Sequence, residues 1–141
     1  MPVRKADAVW EGVLRSGKGR MTVGSRAFEV PFTYSTRFEE DPGTNPEELI
    51  GAAQAGCYSM ALSGNLERAG FKAERIHTTA DVHLERTDAG QTITRIVLNC
   101  EATVPGVDEA TFQQQAEATR TGCPVARALK AELVVNARLV K

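Results

Sequence analysis

Apolar and polar positions along this chain follow two different periods, and the switches between them lay out its elements. From position 49 to position 62 the only clearly polar side chains are Gln54, Tyr58 and Ser59, so apolar surface runs nearly all the way round. That is the pattern of a buried helix. Asn45 is a preferred N-cap, Pro46 suits the first helical position, and Glu48 stands three residues after the cap as in a capping box. With Gly70 as a natural C′ residue the helix reaches about 36 Å at 1.5 Å per residue. Gly51, Ala52, Ala55 and Gly56 leave one region almost without side chains, the contact expected for a second helix, including one from a second subunit.

Elsewhere the period is two. Residues 6–14, anchored by Trp10, then 21–23 and 27–30, with turns at 15–20 and at Gly24-Ser25, read as a meander of short strands. Residues 31–44, with two prolines, a glycine and the acidic Glu39-Glu40-Asp41, read as a long loop that contains Arg37 and leads to the Asn45 cap. Beyond Gly70, Ile76, Thr78, Ala80, Val82 and Leu84 alternate with His77, Thr79, Asp81, His83 and Glu85 as a half-buried strand. After a turn at 87–90, the next strand sets Ile96, Leu98, Cys100, Ala102 and Val104 on one face. Asp108 caps a second helix to about Thr121, Gly122-Cys123-Pro124 is a break and restart, and Leu133, Val135, Ala137 and Leu139 mark a closing strand. This order makes a single α+β domain over residues 1–141, not a wound α/β sheet.

Composition removes several partner classes. Lys+Arg 17 against Asp+Glu 18 gives a net charge of -1, with no basic excess for nucleic acid or an anionic membrane. Gln54, Asn65 and the acidic helix start cut the apolar run short of the roughly 20 residues of a membrane span. The first residues carry no apolar h-region, so a cytoplasmic protein is expected. Three cysteines without a C-x-x-C make no disulfide scaffold, and with two histidines they match no zinc spacing, so a functional cysteine here is catalytic or redox.

Among these cysteines, Cys100 shares a strand face with Ile96 and Leu98 and reads as core. Both histidines lie on the polar face of their strand, which leaves a Cys-His hydrolase without its base. Cys57 alone, among Gly, Ala and Met, also reads as core. Cys123, by contrast, precedes Pro124 at a helix N-terminus, where the positive end of the dipole favours a thiolate. Arg37 in its loop and Glu47, left over once Glu48 accounts for the cap, supply the polar groups a reactive thiol needs.

Over nearly its whole length the chain resembles the OsmC/Ohr family of cysteine-based hydroperoxide reductases. The resemblance rests on Trp10-Glu11-Gly12 with Gly17-Lys18-Gly19, Thr36-Arg37-Phe38-Glu39, the run from Gly43 through Ala53 leading to Cys57, Ser59-Met60-Ala61-Leu62, and Gly122-Cys123-Pro124-Val125. It implies an OsmC-like α+β fold, an antiparallel sheet with a long buried central helix, in an intertwined homodimer without metal or prosthetic group. It makes Cys57 the peroxidatic cysteine, Cys123 the resolving cysteine, Arg37 the activator of the thiolate and Glu47 the residue that holds the arginine. Arg15 and Arg20 are the alternatives the Ohr branch would use; the Thr36–Glu39 string and the Gly17-Lys18-Gly19 turn look like the OsmC branch, which selects Arg37.

The implied reaction is reduction of organic hydroperoxides, and of hydrogen peroxide, through a Cys57 sulfenic acid and a Cys57–Cys123 disulfide that an external, lipoyl-type dithiol resets. Two readings of other classes stand beside it. One is thiol–disulfide exchange without peroxidase activity, and the other is a small-molecule binding or structural dimer.

Overall fold

Trp10, Gly19 and Phe32 stand in register across the first three strands, and that alignment explains how a short, mostly exposed meander holds together. The computed structural model describes residues 1–141 and divides into two compact units, Met1–Leu49 and Ile50–Lys141. In the first, β1 (Ala6–Glu11), β2 (Lys18–Val23) and β3 (Glu29–Phe32) pair antiparallel in sequence order, as expected. Gly19 has no side chain, so the Trp10 and Phe32 rings close over it with centroids 5.5 Å apart. A Cβ there would stand 2.6 Å from Phe32 Cε1 and 2.7 Å from Trp10 Cε3.

The loop expected over residues 31–44 is corrected. β3 continues to Phe32, and Tyr34–Phe38 forms a short helix, α1. Thr33 Oγ1 accepts from the Thr36 N–H at 3.2 Å while Thr36 Oγ1 accepts from the Thr33 N–H at 2.9 Å, a reciprocal box. A threonine fills the place where a glutamate or glutamine is the usual signal, which hides the helix from a pattern search.

The long helix α2 (Pro46–Arg68) starts and stops where its caps require. Asn45 Oδ1 accepts from the Glu48 N–H at 2.8 Å, but the Glu48 carboxylate takes the Thr44 hydroxyl at 2.9 Å, so only half of the expected box forms. At the far end Gly70, with φ +96, donates to the Glu67 carbonyl at 3.0 Å and Phe71 to the Leu66 carbonyl at 2.9 Å. These two bonds make a Schellman cap, and the positive φ is why glycine stands there.

In the second unit β4 (Arg75–Thr87) pairs antiparallel with β5 (Gly90–Thr103). The chain then passes through α3 (Glu109–Gly122) and α4 (Pro124–Ala128) before β6 (Glu132–Leu139) returns parallel to β5. That parallel pair departs from the antiparallel expectation. A crossover through two helices, unlike a tight hairpin, can deliver the next strand in the same direction. Ile96, Leu98, Cys100, Ala102 and Val104 are all buried, as their alternation implies, and they form the core with Tyr58, Leu62, Leu66 and Phe112.

Burial of α2 within one chain is one-sided. Gln54, Tyr58, Leu62 and Leu66, spaced four apart, face inward, whereas Ala52, Ala53 and Gly56 are exposed and Met60 is 81% exposed. The small-residue patch divides the same way: Gly51 is buried where a Cβ would meet Val82 Cγ2 of β4 at 3.0 Å, while Ala52 and Gly56 face outward. Within one chain, a sheet covers only one side of a helix. No helix is long and apolar enough to cross a membrane.

Two buried acids make this core sensitive to alkali. Burial raises the Tyr58 hydroxyl above its ordinary 10.0, with the Cys100 and Glu117 charges adding to it, and burial raises the Cys100 thiol above its ordinary 9.0. The unfolded chain therefore loses these protons first. Stability is fully present below about pH 9 and falls as pH rises beyond it. Urea midpoints of oxidised protein between pH 7 and pH 11 are expected to fall less steeply in Tyr58→Phe than in the parent. The variant should start about 1 kcal/mol lower, having lost the bond from Tyr58 Oη to the Ala116 carbonyl at 3.1 Å. Equal slopes would mean that Tyr58 does not carry the effect.

Candidate redox site

Cys57 and Cys123, 66 positions apart, are joined by a disulfide with their Cα atoms 6.1 Å apart. The separation lies inside the usual window of roughly 4.4–6.8 Å between bridged Cα atoms. Cys57 projects from the middle of α2 and is half-buried; Cys123 is completely buried. Cys100 is the free cysteine, buried on β5 opposite Thr78, in keeping with a core role.

The surroundings of Cys123 are less one-sided than its place before Pro124 implies. It is at once the C-cap of the fourteen-residue α3 and the N-cap of the five-residue α4. The negative end of the longer helix thus meets the positive end of the shorter one, and the expected dipole contribution is largely offset. What the sulfur does receive is a side-chain donor, Gln54 Nε2, at 3.7 Å. Gln54 is 1% exposed. Its role was open to inference from the sequence, because an amide in an otherwise apolar helix must find a partner.

Arg37 and Glu47 meet as the second pair. Arg37 Nε donates to Glu47 Oε1 at 3.0 Å and Oε2 at 3.3 Å, and Nη2 stands 2.9 Å from Oε1. Glu47 is 8% exposed, so the carboxylate is a fixed anchor that aims the guanidinium. α1 sets where Arg37 starts from, and Asn45 Nδ2 ties that helix to the α2 cap by donating to the Thr36 carbonyl at 2.9 Å. Neither of the other candidate arginines pairs with Glu47: Arg20 pairs with Glu29 at 3.2 Å, and the Arg15 guanidinium lies 4.6 Å over the Tyr34 ring.

Beside Arg37 opens a cavity of about 280 Å³ lined by Trp10, Leu14, Phe32, Thr33, Tyr34 and Phe38. Its lining is mostly apolar, with the guanidinium as its charged group. Sequence reading did not find this cavity, since its walls come from β1, β3 and the unrecognised α1.

The model of the family described as OsmC-like protein matches residues 39–138. Peroxiredoxin OsmC of Escherichia coli (strain K12) is 48% identical over 137 residues, covering 96% of each chain. An organic hydroperoxide resistance protein-like protein of Mycoplasma pneumoniae is 31% identical over 107 residues, 72% of this chain and 74% of that one. Among solved structures, an OsmC-like protein of Vibrio cholerae superposes with a TM-score of 0.79 at 15% identity, covering 97% of this chain and 99% of that one. This chain belongs to the OsmC-like protein family.

Proposed function

We propose that this protein is a thiol-dependent peroxidase that reduces organic hydroperoxides, and hydrogen peroxide with lower efficiency, through Cys57 and Cys123. The observation that carries the reading is the Cys57–Cys123 disulfide, a bond between residues that only the tertiary fold brings together. The names peroxiredoxin OsmC and organic hydroperoxide resistance protein-like, carried by relatives at 48% and 31% identity, support the same chemistry. Cys57 is the peroxidatic residue because its partner is fully buried while it keeps part of its surface open.

The Cys57 thiolate attacks the terminal peroxide oxygen, the O–O bond breaks, and the alkoxide leaves with a proton as alcohol; for hydrogen peroxide the product is water. Cys57 is then a sulfenic acid. The Cys123 sulfur attacks it, water departs, and the disulfide forms. An external dithiol, of lipoyl type or similar, restores both thiols by exchange. Arg37, held by Glu47, favours the thiolate and stabilises charge on the leaving oxygen. No step calls for a metal or prosthetic group. The apolar neighbours of Cys57 on α2, glycine, alanine and methionine, favour organic over inorganic substrates.

The working unit in this reading is a homodimer in the reducing cytoplasm. The outward face of α2, with Ala52, Ala53, Gly56 and an 81% exposed Met60, offers the close-packing surface a second copy would cover. Stopped-flow oxidation of the reduced protein tests the function. Cumene hydroperoxide should oxidise Cys57 at least about tenfold faster than hydrogen peroxide, with alcohol released in equal amount to disulfide. Disulfide formation with oxidised dithiols but not with either peroxide would instead establish a thiol–disulfide exchanger.

A further inference from the structure

We infer that Gln54 is the hydrogen-bond donor that receives the leaving sulfur when the disulfide is reduced, and that it thereby directs the reductant to Cys57. This deepens the proposed peroxidase cycle and rests on it.

The disulfide presents two unequal sulfurs. Cys123 is 0% exposed, whereas Cys57 is partly open, so an external dithiol reaches only the Cys57 sulfur. Its thiolate bonds to Cys57 Sγ, the Cys57–Cys123 bond breaks, and the electron pair goes to Cys123 Sγ, which departs as a thiolate inside the protein. That charge needs a donor, because an unpaired buried ion is costly. The short helix after Cys123 does not supply one through a side-chain cap contact. Gln54 Nε2, 3.7 Å from Cys123 Sγ and itself 1% exposed, is the hydrogen-bond donor on that sulfur. It stands three positions before Cys57 on α2, so one helix face carries the attacked atom and the group that stabilises the leaving one.

The Cys123 thiolate then takes a proton. The second sulfur of the dithiol attacks the mixed disulfide and releases Cys57 as a thiolate. The dithiol ends as a cyclic disulfide, oxidised by two electrons, and the protein disulfide is reduced by two.

The test separates the two half-reactions in the full-length protein. Gln54→Leu and Gln54→Met keep the size of the side chain and remove the donor. Dithiothreitol should reduce their preformed disulfide about tenfold more slowly than that of the parent, the scale of a hydrogen bond to a charged group. Formation of the Cys57 sulfenic acid by cumene hydroperoxide, a step in which Cys123 takes no part, should stay within about twofold of the parent, a split that general distortion of the site would not produce. With 2-mercaptoethanol, acid quenching followed by alkylation in denaturant should place the transient adduct on Cys57 and the alkyl label on Cys123. Parental reduction rates in both variants, equal slowing of both half-reactions, or an adduct on Cys123 would overturn the inference. If the parent protein forms no Cys57–Cys123 disulfide with peroxide, the peroxidase cycle itself fails and the role of Gln54 falls with it.

Discussion

Cys57→Ser is expected to abolish catalysed peroxide consumption, a loss on the order of a thousandfold or more, as follows from removing an activated nucleophile. Cys123→Ser should behave differently. Cys57 would still be oxidised once, but with no sulfur at position 123 the sulfenic acid persists and is trapped by dimedone, detectable by mass spectrometry. Turnover stops there unless a small thiol reaches Cys57 directly. Cys100→Ser should keep turnover, since the Cys100 thiol is free, buried on β5 and raised by burial away from its reactive form. Sustained turnover by Cys57→Ser, or its loss in a folded Cys100→Ser, would transfer the chemistry to another residue.

The next largest effect concerns the Arg37–Glu47 pair and the chain on which it acts. Glu47→Ala should lower the rate constant for Cys57 oxidation by roughly 10- to 100-fold, because Arg37 loses the carboxylate that aims it at 3.0 Å. Glu47 and Cys57 lie ten positions apart on the unbroken α2, which is about 15 Å of rise and roughly 80° of rotation, so they do not share a face of that helix. A homodimer with two antiparallel copies of α2 offers the alternative: the pair of one subunit serves the cysteine of the other. Mixed Glu47→Ala and Cys57→Ser subunits would then regain activity, since a heterodimer carries one site with both residues intact. Mixed dimers that form, verified by mass spectrometry, yet stay inactive would place both residues in one chain's site.

Local signals made much of this protein legible in its sequence. The caps at Asn45 and Gly70, the Pro after Cys123, the Gly90 turn and the alternation from Ile96 to Val104 each depend on residues a few positions apart, and each element lies within a few residues of its expected place. The short α1 escaped because a threonine stands where the capping box usually shows Glu or Gln. The parallel β5–β6 pairing escaped because alternation shows which face is apolar but carries no information on strand direction.

The pairings that make the candidate site are of another kind. Cys57, Cys123, Arg37 and Glu47 were each recognisable as residues, three by their setting and all four by family resemblance. That Gln54 contacts Cys123 across 69 positions, that Arg37 and not Arg15 or Arg20 meets Glu47, and that the rings of Trp10, Phe32 and Phe38 line one cavity were decided by tertiary structure. The same holds for the side of α2 left uncovered, with Met60 turned outward. A side chain's periodic neighbours fix its local conformation, but long-range contacts depend on how whole elements pack, and apolar burial is non-directional, so a pattern alone does not choose among the faces it could cover.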